Sequence, residues 1–152
     1  MIIGYFADGP WSHLALKMLI KKKVVKIAFI CARYDREDLV LKEISRHFGI
    51  PFFVHSNVNS RDFLAQIAPY SCELFVSMSF NQIFGKNIRE LPPMGIINCH
   101  AGKLPFYRGR NVLNWALIND EKEFGITVHF VDEGIDTGDI ILQETFPIKD
   151  KD

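Results

Sequence analysis

Short apolar runs alternate with amphipathic stretches along most of the chain. Met1 to Phe6, Val24 to Cys31, Phe52 to His55, Leu74 to Met78 and Gly95 to His100 read as buried strands bounded by polar or turn-forming residues. Between them, Trp11 to Ile20 carries Leu14, Leu16, Met18 and Leu19 at spacings that let a helix face a sheet. Arg36 to Phe48 carries Leu39, Val40, Ile44 and Phe48 at helical spacing, and Gly49 then Pro51 supply a stop. Asn59 or Ser60 can cap a helix through Ile67, and Asn111 to Ile118 is helical again. Thr127 to Val131 and Asp139 to Thr145 read as strands joined by a glycine-containing loop, short enough for an antiparallel excursion late in the sheet. The alternation predicts an α/β fold with a largely parallel sheet.

At 152 residues, 48% of them apolar, the chain has the material for one domain spanning 1–152 and no room for two. Lysines and arginines number 18, as do aspartates and glutamates, so net charge points to neither a nucleic-acid backbone nor an anionic membrane. Lys21-Lys22-Lys23 reads as a solvated helix end, where cations favour the dipole. Three cysteines, Cys31, Cys72 and Cys99, lie in or beside apolar runs with no paired spacing, which implies a reducing cytoplasm. No apolar stretch is long enough to span a bilayer, and Asp8-Gly9-Pro10 interrupts the first run. A soluble, cytoplasmic protein is expected.

The chemistry concentrates between Gly95 and Leu142: Asn98-Cys99-His100, Gly109-Arg110-Asn111, and Asp136-Thr137-Gly138-Asp139. Strand alternation puts Asn98 and His100 on one face and Cys99 on the other, which argues against a cysteine nucleophile acting with His100. Acyl transfer to an amine needs a donor for a developing oxyanion and a group to manage the amine's proton. Asn98 suits the first and His100 the second, with a carboxylate such as Asp136 to fix the imidazole's tautomer. Taken singly, His100 would be a structural histidine and Asp136 an ordinary turn residue. Asp132, Asp136 and Asp139 with His100 or His129 form an alternative metal set, but lack the spacing of a zinc or calcium site, and no metal is expected.

Asn98-x-His100, Leu104-Pro105, Arg108-Gly109, Gly125-Ile126-Thr127-Val128-His129 and Asp136-Thr137-Gly138 follow one another in the order found in folate-dependent formyltransferases, which the chain resembles over essentially its whole length. The resemblance implies a Rossmann-like, mostly parallel twisted sheet of about seven strands with helices on both faces, in the topology of that family's catalytic domain. It implies Asn98, His100 and Asp136 as the catalytic trio and 10-formyltetrahydrofolate as formyl donor. Family members continue into a further helix and often a carboxyl-terminal domain, whereas Lys149-Asp150-Lys151-Asp152 follows a strand directly, as in a trimmed or naturally short catalytic core.

In open α/β sheets ligands bind beyond the carboxyl ends of the strands, where Asp8 to Ser12, Asn81 to Gly85 and His100 are expected to converge. Met78 to Gly85 is apolar and small, so backbone groups at its tip could bond a flat heterocycle enclosed by Phe80 and Phe84; otherwise both aromatics are core. The resemblance maps pterin contacts through main-chain atoms onto Gln82, Ile83 and Phe84. Asp8-Gly9-Pro10-Trp11-Ser12 lacks a dinucleotide glycine fingerprint, although a phosphate could bind at this helix start and Trp11 could stack on a base or sugar. Lys103, Tyr107, Arg108 and Arg110 fall where family members meet the acceptor, with a solvated basic loop as the alternative.

Asn98 to Asn111 departs from the Ser-Leu-Leu-Pro run of transfer-RNA and purine enzymes and looks more like the sugar N-formyltransferases. A nucleotide-linked amino sugar of the dTDP type is therefore the expected small-molecule partner, and membrane is not. A methionyl-tRNA formyltransferase-like enzyme is the second reading, the only one with a nucleic-acid partner. A truncated, non-catalytic folate- or nucleotide-binding module is the third. A homodimer is compatible with all three.

Overall fold

A computed structural model describes residues 1–149; the end of the expected domain, 150–152, lies outside the described residues. In chain order the elements are β1 (Ile2–Ala7), α1 (Gly9–Ile20), β2 (Lys26–Ala32), α2 (Leu39–Phe48), β3 (Phe52–Val54), α3 (Arg61–Ile67), a 3₁₀ turn (Ala68–Tyr70), β4 (Leu74–Met78), α4 (Lys86–Arg89), β5 (Ile96–His100), α5 (Val112–Ile118), β6 (Glu123–Phe130) and β7 (Ile140–Pro147). The seven strands give the expected α/β class. Two compact units divide the chain, Met1–Ile96 and Ile97–Asp152.

In the first unit the strands lie in the order β3-β2-β1-β4, all parallel. Because β2 and β4 flank β1 on opposite sides, the order reverses there, which places a topological switch point beyond the carboxyl ends of β1 and β4. The loops leaving those strands meet: the Asp8 amide donates to the Met78 carbonyl at 3.2 Å. Six aromatic rings build the core, with Phe6 at the centre and Phe29, Phe63, Phe75, Phe80 and Phe84 edge-on around it, centroids 5.1–6.3 Å away. Gly4 in β1 has no room for a side chain, since a Cβ there would stand 2.4 Å from the Phe29 ring.

Helix boundaries differ from the sequence expectation where a side chain captures the helix start. The helix expected from Arg36 begins at Leu39, because the Asp38 carboxylate accepts the Leu41 amide as an N-cap. Ser60 does the same for α3 through the Phe63 amide, as the sequence suggests. Helix α1 begins at Gly9, before the expected Trp11, with Pro10 in the first turn where its missing N–H has no consequence. Leu14 and Met18, expected against the sheet, are 64% and 59% exposed, and the buried residues of α1 are Ser12 and Leu16. The second strand starts at Lys26, not Val24, and Lys21 caps the end of α1 with its side chain in solvent.

In the second unit β5, β6 and β7 form an antiparallel meander. The last two strands are longer than expected: β6 starts at Glu123, four residues before Thr127, and β7 ends at Pro147. Among the described residues no helix is long and apolar enough to cross a membrane.

Candidate active site

The register of β5 on β6 builds the site. Asn98 lies opposite His129 and His100 opposite Thr127, so two residues from each strand share one face of the meander. His100, Thr127 and His129 are all buried. Cys99 pairs with Val128 on the other face, and burial pushes its thiol up, away from a reactive thiolate.

The loop between β6 and β7 delivers Asp136 to this face. Asp132 shapes the loop, accepting from the Gly134 amide at 3.0 Å and the Thr137 hydroxyl at 2.5 Å. Gly138 lets the loop lie against β6, since a Cβ there would fall 1.9 Å from the Phe130 carbonyl oxygen. Asp136 has a left-handed backbone, φ 52°, a conformation aspartate tolerates better than most residues. Its Oδ2 lies 3.5 Å from His100 Nδ1 and its Oδ1 3.4 Å from His129 Nε2. The carboxylate therefore stands between two imidazoles. Burial would raise its pKa, but the His129 contact, the Gly109 amide and the charges of both histidines outweigh burial and hold it below the usual carboxylate range.

The segment after β5 closes over the histidine. His100 Nε2 donates to the Tyr107 carbonyl at 2.6 Å, and the Gly109 amide donates to Asp136 Oδ2 at 2.9 Å. Thr127 clamps the start of this segment: its hydroxyl donates to the Gly102 carbonyl at 2.7 Å and accepts from Gln143 Nε2 at 2.9 Å, and Gln143 also donates to the Leu104 carbonyl. The structure thus brings Asn98, His100 and Asp136 together on one face of a single unit. It adds His129, the Tyr107 carbonyl and the Gly109 amide, none of which the sequence reading placed in this constellation. The signal available for His129 was alternation through Gly125-Ile126-Thr127-Val128-His129, which puts Gly125, Thr127 and His129 on one side.

The other candidate residues have different surroundings. Lys103, expected to meet an acceptor, is ion-paired with Glu123. Tyr107 donates its hydroxyl to Glu121 at 2.6 Å. Arg108 is exposed and has no partner among the described residues. In the first unit, Trp11 is 47% exposed on the first turn of α1. The Gln82 side chain is spent on loop structure, accepting the Val58 amide and donating to the His55 carbonyl. Ile83 is 70% exposed, with its carbonyl accepting from Asn59. Phe84 is buried and stacks on Phe80 at 5.7 Å, so both rings belong to the core rather than to an open pocket wall.

The expected phosphate site at the start of α1 is already filled by the protein. The Gly9 amide donates to Asp38 Oδ2 at 3.1 Å, and the Asp8 carboxylate beside it pairs with Arg33 at 2.9 Å. Two carboxylates at that helix end disfavour a further anion. Among the described residues no group of three histidine, cysteine, aspartate or glutamate side chains is arranged to hold a metal ion.

The sequence profile of the family described as "Formyl transferase" matches residues 5–152. The chain belongs to that family. Among curated relatives, methionyl-tRNA formyltransferase of Pelotomaculum thermopropionicum is 40% identical over 112 residues, covering 74% of this chain and 36% of the relative. The same enzyme of Thermodesulfovibrio yellowstonii is 37% identical over 158 residues, covering 99% of this chain and 51% of the relative. This formyl transferase family member thus spans a third to a half of the length of these relatives. Among solved structures, phosphoribosylglycinamide formyltransferase of Bacillus halodurans superposes with a TM-score of 0.85 at 23% identity, over 100% of this chain and 82% of that one. A formyltetrahydrofolate deformylase of Pseudomonas syringae superposes at 0.78 and 19% identity, over 99% of this chain and 52% of that one. At these identities the superpositions speak for the fold.

Proposed function

We propose that this chain is the catalytic core of a folate-dependent N-formyltransferase, with Asn98, His100 and Asp136 as its reacting constellation. The observation that carries the reading is the Asp136 carboxylate placed against His100 on the face that also bears Asn98. Family membership and the named activities of the relatives support the same reading. The donor, 10-formyltetrahydrofolate, supplies a formyl group on nitrogen. In the transfer, the acceptor's amine nitrogen bonds to the formyl carbon, the bond from that carbon to the folate nitrogen breaks, and one proton passes from the amine to that nitrogen. Asn98 donates to the oxygen on which charge develops. His100 handles the proton, and Asp136 orients and charge-balances the imidazole.

The acceptor we infer is a nucleotide-linked amino sugar. Its support is Gly102-Lys103-Leu104-Pro105 where transfer-RNA and purine enzymes carry a Ser-Leu-Leu-Pro run, together with net charge of zero, which lacks the basic excess a transfer-RNA partner favours. The exposed Arg108 offers a guanidinium fork to a diphosphate. Methionyl-tRNA is the second reading, favoured by the names of the curated relatives. Incubating the protein with 10-formyltetrahydrofolate and each acceptor class, and weighing the products, separates the two. A formylated sugar nucleotide supports the first reading, and formylated methionyl-tRNA replaces it with the second. Asn98→Ala should cut turnover ~100- to 1,000-fold with the fold retained, as loss of one oxyanion donor does elsewhere. Undiminished turnover in that variant would remove Asn98 from the mechanism.

A further inference from the structure

We propose that His129 is a positioning residue: protonated, it turns the Asn98 carboxamide so that the NH2 group, and not the oxygen, faces the reacting centre. The proposal rests on the formyl-transfer reading above for its kinetic consequence, but its structural content can be measured on the free protein.

His129 is 1% exposed and hydrogen-bonded on both nitrogens. Nδ1 stands 2.8 Å from the Phe130 carbonyl oxygen, which can only accept, so Nδ1 carries a hydrogen. Nε2 meets two groups at once, Asp136 Oδ1 at 3.4 Å and the Asn98 amide nitrogen at 3.3 Å. These two demands conflict. A bare Nε2 accepts from the Asn98 NH2, which leaves the Asn98 oxygen on the far side, where it would repel a developing oxyanion. A protonated Nε2 donates to Asp136 and can no longer accept, so the Asn98 NH2 must turn away and its oxygen takes the place opposite the imidazolium. An NH2 group is then presented on the face shared with His100. Only the second arrangement leaves both Asn98 N–H groups free for a developing oxyanion, where the first spends one of them on His129.

The surroundings favour that second arrangement. Around His129 the charged and titratable groups are Asp136 and Asp132 from the loop after β6, and His100 from β5, whose ring stands perpendicular with centroids 6.3 Å apart. From β7 the register partner is the apolar Ile140. Burial disfavours the cation, but the Asp136 contact, the Phe130 carbonyl and the two carboxylate charges outweigh it, so protonation persists above the usual histidine range.

The test begins with the protein alone, labelled with nitrogen-15. The Asn98 NH2 resonances should shift along the same titration curve as the His129 ring, and the shift should vanish in His129→Gln, whose amide nitrogen can stand in for a protonated Nε2 without titrating. An Asn98 amide indifferent to His129, or one that titrates equally in His129→Gln, would overturn the proposal. In the turnover assay, His129→Gln should keep most of kcat. His129→Leu should lose ~100-fold in kcat at unchanged KM for the donor, as expected when a transition-state donor is misdirected. Equal losses in the two variants would instead mark His129 as structural. A wild-type protein without turnover would count against formyl transfer, while the amide titration would still decide the role of His129.

Discussion

Gly102 is the residue on which the geometry at His100 turns. A Cβ there would lie 2.5 Å from His100 Nε2 and 2.4 Å from the Tyr107 carbonyl oxygen, and backbone cannot swing aside as a flexible side chain can. Gly102→Ala must therefore tilt the imidazole or push Tyr107 away, breaking the 2.6 Å bond that now holds the ring. Misplacements of this size far from bond-making atoms cost on the order of 100-fold in rate, so turnover should fall by about that factor. Melting temperature should also fall, because the clash and the broken hydrogen bond are buried, and the split between kcat and KM separates the catalytic loss from the structural one. Wild-type turnover in G102A would show that the Tyr107 contact does not matter to catalysis. That Asn98 and His100 share a face was legible from strand alternation, while grouping them with Asp136 came from the order of motifs that the chain shares with the formyltransferases. His129 was not legible, because its meaning comes from lying opposite Asn98, and strand pairing across 31 residues leaves no mark in local periodicity.

Among the elements, the helix starts of the first unit show how one side chain can serve several segments. Ser60 caps α3 with a single bond to the Phe63 amide at 3.2 Å, and Ser60→Ala should cost about 1 kcal/mol. Asp38 caps α2 through Leu41, accepts the first amide of α1 from Gly9, and holds His13 at 2.8 Å. With that side chain largely buried, Asp38→Ala loses the cap and leaves the other two groups without a partner, for a total of about 2–4 kcal/mol. Urea unfolding of both variants compares them directly, and equal destabilisation would mean that Asp38 does no more than cap its helix. The strand and helix centres were visible as apolar periodicity, and most ends fell within a residue of it, whereas the starts of α1, β2, α2 and β6 and the end of β7 were displaced by two to four residues. The difference is physical: Asp38 starts α2 at Leu39, three residues after Arg36, by capturing an amide, a choice that hydrophobic pattern does not encode.

For the molecule as a whole, buried titrating groups set limits on stability at both ends of the pH scale. Asp38 and Asp136 are held below the usual carboxylate range, in each case because hydrogen bonds and histidine charge outweigh burial. A carboxylate depressed on folding stabilises above its unfolded value of ~3.9, and that contribution disappears as pH falls through the folded one. His129 is raised, so its contribution is complete below ~6.5 and is lost as pH rises through its folded value. The two signs define a plateau between about pH 4 and 6.5, with stability declining on either side. Lysines plus arginines equal aspartates plus glutamates at 18 each, so charge repulsion is small near neutrality and does not mask the alkaline decline. Asp136→Asn separates the causes, because it removes the carboxylate that raises His129 while keeping the side chain's size. Melting temperature recorded from pH 3 to 9 should show the alkaline decline clearly in the wild type and much reduced in D136N. The same decline in both proteins would place its origin outside the His129–Asp136 pair.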